Sequence, residues 1–96
     1  MEWLDRLAEA LGEEPLSSQE SDRILRLSRD VAHRVERRAT PLAAFVAGAA
    51  LGRLLAEGAG RDAAFDQVLD AVIVRLPDEP ATARDDPPDR EDGARQ

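Results

Sequence analysis

Apolar side chains recur at helical spacing in four stretches of this chain, and each stretch is bounded by residues that start or stop helices. Trp3, Leu4, Leu7, Ala8 and Leu11 form the first stripe, and Gly12 is placed to end it in the left-handed conformation. Ser17 and Glu20 fit a capping box, S-x-x-E, ahead of a second run whose inner face is Ile24, Leu27, Ser28, Val31 and Val35. Thr40-Pro41 reads as an N-cap and a first helical residue, and the third run continues to Glu57 before Gly58-Ala59-Gly60 stops it. Asp62 can cap the fourth, where Phe65, Val68, Leu69, Val72, Ile73 and Leu76 make one stripe up to Pro77. The pattern predicts helices over about 2–11, 18–37, 41–57 and 62–76 and no strands. The fold expected is all-α, a compact four-helix domain.

The third helix stands out. From Leu42 to Ala56 its one charge is Arg53, so it is apolar around most of its circumference, the mark of a helix central to a bundle. Ala44, Gly48, Gly52 and Ala56 fall at four-residue steps, a small-residue lane that admits a close neighbour. Glycine inside a helix costs about 1 kcal/mol relative to alanine, so tight packing on the first or second helix is expected to offset the lane. A homodimer through this helix, across Leu51 and Leu55, is the alternative.

Composition changes the picture at the C-terminal end. Residues 77–96 hold four prolines and ten charges with no large apolar side chain. Such a segment buries too little surface to offset the entropy of ordering, so a disordered acidic tail is expected beyond a domain spanning 1–76. A domain of that size buries only about 60% of its unfolded surface, and a partner or self-association would add stability. The net charge of −7 and the three aromatic residues argue against nucleic acid as a partner. Every basic residue is arginine, which excludes a Schiff-base or phosphate-loop lysine, and the absence of cysteine excludes thiolate and zinc-thiolate chemistry. The acidic, amphipathic start is unlike a secretory signal, and the uncharged run 39–52 is short for a bilayer span. The expectation is a cytoplasmic chain with no membrane partner.

Candidate chemistry gathers in Ser28 to Leu42, which holds the single histidine. Asp30, His33, Arg34 and Arg37 lie at three- and four-residue steps on the second helix, with Arg23 and Arg26 further up the same side. A solvated face laced with ion pairs is the plain reading. Asp30 and Glu36 flank His33 at three-residue spacing, but a di-metal bundle site needs a second histidine that the chain lacks. No nucleophile accompanies His33, so no catalytic residue, metal or cofactor is expected. The sharper idea is an anion site at the junction of helices two and three. There Arg37 and Arg38 stand beside the helix start at Thr40, with His33 close by.

"LRLSRDVAHRVERRATPLAAFVAGAALGR", Leu25 to Arg53, resembles a small bacterial domain of unknown function found alone or fused to molybdenum cofactor guanylyltransferase. Its pattern is L-x-L-A-R-D-V-A-H-x-V-E-R-P-A-A-P-L-T-x-F-L-x-G-x-A-A-G, and the start "WLDRLAEALG" is also similar. The matching positions are Arg29, Asp30, His33, Glu36, Arg37, Pro41, Leu42, Phe45 and Gly48. The chain departs at Ser28, Arg38 and Ala43, where the pattern has alanine, proline and threonine. The resemblance implies an accessory of molybdenum-cofactor nucleotide chemistry or molybdoenzyme maturation, with no activity to carry over. The expectation is a non-catalytic interaction module that docks a cofactor-processing or maturation enzyme, with binding residues Arg29, Asp30, His33, Arg37, Arg38 and Thr40. The alternative is a binder of an anionic nucleotide or pterin at the helix two–three junction.

Overall fold

A computed structural model describes residues 2–78. Four helices and no strand occur among them: α1 (Glu2–Ala10), α2 (Ser18–Arg34), α3 (Ala39–Ala56) and α4 (Arg61–Ile73). The expected tail lies outside the described residues except for Pro77 and Asp78.

Local chemistry sets the helix ends. The Ser17 hydroxyl accepts from the Glu20 N–H at 3.1 Å while the Glu20 carboxylate accepts from the Ser17 N–H at 2.9 Å, so the capping box is complete. Gly12, at φ +74°, and Gly58, at φ +97°, end α1 and α3. At each, paired bonds satisfy two last-turn carbonyls: Glu13 to Ala8 and Gly12 to Glu9, then Ala59 to Leu54 and Gly58 to Leu55. Two expected caps differ. The N-cap of α4 is Gly60, which places Asp62 inside the first turn, and α3 begins at Ala39 with Arg38 as N-cap.

Pro41 explains the α2–α3 junction. Its ring would strike the carbonyl of Arg37, four residues back, in a regular helix running through Arg37, which favours a break there. The chain leaves helical geometry at Val35 (φ −109°, ψ −83°) and re-enters at Ala39. Pro41 then occupies the third helical position, where a missing N–H costs nothing because the first four have no intrahelical acceptor. Glu36 and Arg37 therefore belong to the turn, and α2 is shorter than the pattern predicts.

The buried core is Val31 of α2 with Ala64, Phe65, Val68 and Leu69 of α4. Helix α3 packs against both α2 and α4, and more extensively on each than those two pack on one another. It is central in that sense, yet not one of its residues is fully buried. Leu42, Phe45 and Val46 are 67%, 78% and 68% exposed. The reason is α1, which makes no close approach to the other helices and so leaves α3 with neighbours on one side only.

The small-residue lane is uncovered, with Ala44 and Gly48 lining the rim of a cleft between α2, α3 and α4. Nothing lies within 4 Å of a Cβ built on Gly48 or Gly52, so the expected tight packing on α1 or α2 does not occur. Gly48→Ala should raise the melting temperature, by the roughly 1 kcal/mol of helix propensity with no clash against it. Gly58→Ala should lower it at a cost of about 1–2 kcal/mol, because φ +97° strains any side chain although the space is open. Thermal melts of the two variants check the pair.

Candidate functional site

The arginines of α2 and its following turn divide into two groups with different work. Arg23 donates to the Asp66 carboxylate at 2.9 Å and ties α2 to α4. One turn earlier, Glu20 receives Arg61 through two bonds, Nε to Oε2 at 2.7 Å and Nη2 to Oε1 at 3.1 Å. Arg61 also reaches Glu14 in the α1–α2 linker at 3.6 Å, and its guanidinium lies 5.6 Å from the centroid of the Phe65 ring. The Arg61 fork holds the Glu20 carboxyl below the usual carboxylate range, against the opposing effect of burial. The same bond to Glu20 raises Arg61 above the ordinary arginine value. These side chains hold the fold. Sequence reading gives Glu20 its capping role but not Arg61, because a contact across 41 residues leaves no local signal.

Arg29, His33, Arg37 and Arg38 are all exposed. Arg29 and His33 share a face of α2 by their four-residue step, and Arg37 and Arg38 sit in the turn just past its end. Arg29, Arg37 and Arg38 form no ion pair among the described residues. Two of the candidate residues are less accessible. Asp30 is half-buried, and Thr40, also half-buried, turns its hydroxyl back to donate to the Ser28 carbonyl at 3.5 Å.

The backbone donors at the start of α3 are already engaged. The Ala39 N–H donates to the Glu36 carbonyl and the Thr40 N–H to Arg37, each at 3.1 Å, and Pro41 has no N–H. An anion at this junction would therefore be held by side chains rather than by the Ala39 and Thr40 amides. Glu36 falls beyond the end of α2, so the Asp30–His33–Glu36 spacing does not survive as one helical face. Among the described residues no group of three His, Cys, Asp or Glu side chains could hold a metal ion.

An apolar cleft of about 250 Å³ runs between α2, α3 and α4, lined by Ile24, Leu27, Val31, Ala47, Leu51 and Phe65 among others. Its polar side chains are Ser28 and Thr40, so it offers no charge to an anionic ligand. Helix α3 is long and apolar enough, by length and composition, to cross a membrane. Here it packs on α2 and α4.

The fold and this site define a small helical domain with an exposed basic corner past one end of α2 and a structural ion pair at the other. The chain belongs to the family described as a domain of unknown function, DUF6457, whose model matches residues 1–84. No curated protein and no solved structure matches the chain.

Proposed function

We propose that the chain is a non-catalytic interaction module that docks an enzyme of molybdenum-cofactor nucleotide chemistry or molybdoenzyme maturation through the α2–α3 corner. The observation that carries this reading is the division of the arginines. Arg23 and Arg61 hold the helices together, whereas Arg29, Arg37 and Arg38 stand exposed beside His33 with no part in the fold. Guanidinium groups at a rim favour carboxylate-rich partners, because their planar forks match that geometry. The sequence resemblance supplies the class of partner.

The test is a calorimetric titration of molybdenum cofactor guanylyltransferase with the full chain and with Arg37→Glu. Charge reversal at an interface should weaken binding by about 10- to 100-fold, with the melting temperature unchanged because Arg37 lies outside the helices. Equal binding by both chains contradicts the reading. A melting shift on adding guanosine nucleotide alone, removed by His33→Ala, would move it to an anionic small ligand.

A further inference from the structure

The helix directions bring the C-terminal end of α4 to the α2–α3 junction. Arg61 pairs with Glu20 and Arg23 with Asp66, so α4 runs parallel to α2 and starts at the same end. At the other end an open cleft is lined by Val35 and Ala39 of the junction together with Ala71, Arg75 and Leu76. The chain therefore passes Pro77 and Asp78 close to the turn that holds Arg37 and Arg38. It continues with EPATARDDPPDREDGARQ, residues 79–96, which carry six acids against three arginines.

Charge selects where such a segment settles. Residues 2–22, which span α1, its linker and the start of α2, carry seven acids and one arginine and repel it. Residues 29–38 carry four arginines and two acids, Asp30 and Glu36. Arg29, Arg37 and Arg38 are exposed and form no ion pair among the described residues, and neither does Arg75 in the last turn before the segment. The pairs Asp85-Asp86 and Glu91-Asp92 begin seven and thirteen residues past Asp78, about 23 Å and 43 Å of extended chain. A helix with its side chains is only about 10–12 Å across, so even Arg29 on the outer side of α2 is within reach. We infer that the acidic segment 85–92 settles on the Arg29–Arg37–Arg38 corner of its own chain and masks it. The contact is a set of exchanging guanidinium–carboxylate pairs, each weak alone and kept together by the tether. Its consequence rests on the docking reading above: a carboxylate-rich partner must displace the segment, which thereby sets how tightly the corner binds.

The chain has no cysteine, so Pro88→Cys places a single nitroxide label between the two acidic pairs. In dilute buffer the label should broaden the amide resonances of residues 29–38 and spare those of residues 2–14. At about 1 M salt, where the screening length is about 3 Å, the broadening should fall by about 3-fold or more. Asp85→Asn/Asp86→Asn/Glu91→Gln/Asp92→Asn on the labelled chain should lower it equally, and it alters no residue of α1 to α4. Arg29→Glu/Arg37→Glu/Arg38→Glu should do the same, with helix content by circular dichroism unchanged because all three are exposed. Broadening that salt and both variants leave intact would reduce the segment to a tether hanging near the corner, and overturns the proposal. Broadening centred on other residues overturns it as well. So does broadening passed from labelled to unlabelled chains in a mixture, which would assign the contact to a second copy. No partner enzyme enters these outcomes, so they are separate from the docking reading. In the titration of molybdenum cofactor guanylyltransferase, the chain with four neutralised acids should bind about 3- to 10-fold more tightly than the parent, because more of it is in the open form. Equal, measurable affinity overturns the masking, whereas binding by neither chain contradicts the docking reading alone.

Discussion

Phe65→Ala is expected to leave the chain barely folded at room temperature. Phe65 is 3% exposed and sits in the small core that α4 shares with Val31. Truncating a buried phenylalanine costs roughly 3–5 kcal/mol, transfer and cavity together. A domain of this size holds only about 4–11 kcal/mol in all, so a single side chain accounts for about a quarter or more of the total. No other element can close over the gap, because α1 stands away and α3 is open on its far side. A urea titration followed by circular dichroism checks this. A midpoint close to that of the parent chain would show that the core lies elsewhere.

The second large effect is expected at Arg61. Arg61→Ala removes the fork on Glu20, the reach to Glu14 and the guanidinium over Phe65 in one change. The Glu20 side chain is 12% exposed and that of Arg61 24%, so the loss falls below the range for a fully buried pair, at about 2–3 kcal/mol. In a domain this small that lowers the melting temperature by roughly 10–20 °C. Arg61→Lys keeps the charge but not the two-point geometry and should recover only part of the loss. The pH dependence follows from the same pair. The Glu20 carboxyl titrates lower in the folded chain than in the unfolded one, chiefly through Arg61. Its stabilisation is therefore complete above the ordinary carboxylate range and is lost as the pH falls through the lowered value. Glu20→Gln should flatten the acid limb of stability against pH, which melts taken across the acid range would measure.

The parts of this fold that were legible in the sequence are those fixed by near neighbours. Ser17 and Glu20 are three residues apart, Gly12 and Gly58 act on the turn just before them, and Phe65, Val68 and Leu69 share a face by spacing alone. The start of α3 was misplaced because Thr-Pro resembles a cap, whereas the constraint comes from the Pro41 ring acting four residues back on Arg37. The apolar circumference of α3 suggested shelter on every side. Periodicity reports how apolar a face is, not whether anything covers it, and here Leu42, Phe45 and Val46 stay open. At the candidate site the exposure of Arg29, His33, Arg37 and Arg38 was legible in the sequence, whereas the half-burial of Asp30 and Thr40 was not. The role of Arg61 depends on bringing residue 61 to residue 20, which only the tertiary fold does.

The central claim is that the exposed arginines of the α2–α3 corner are for recognition and those between α2 and α4 are for folding. Hydrogen exchange of the full chain, alone and saturated with molybdenum cofactor guanylyltransferase, tests it most directly. The account predicts new protection over residues 29–38, with the amides around Arg23 and over residues 64–69 already slow in the free chain and unchanged on binding. Protection confined to other residues, with the corner exchanging as fast in the complex as without it, would contradict the claim.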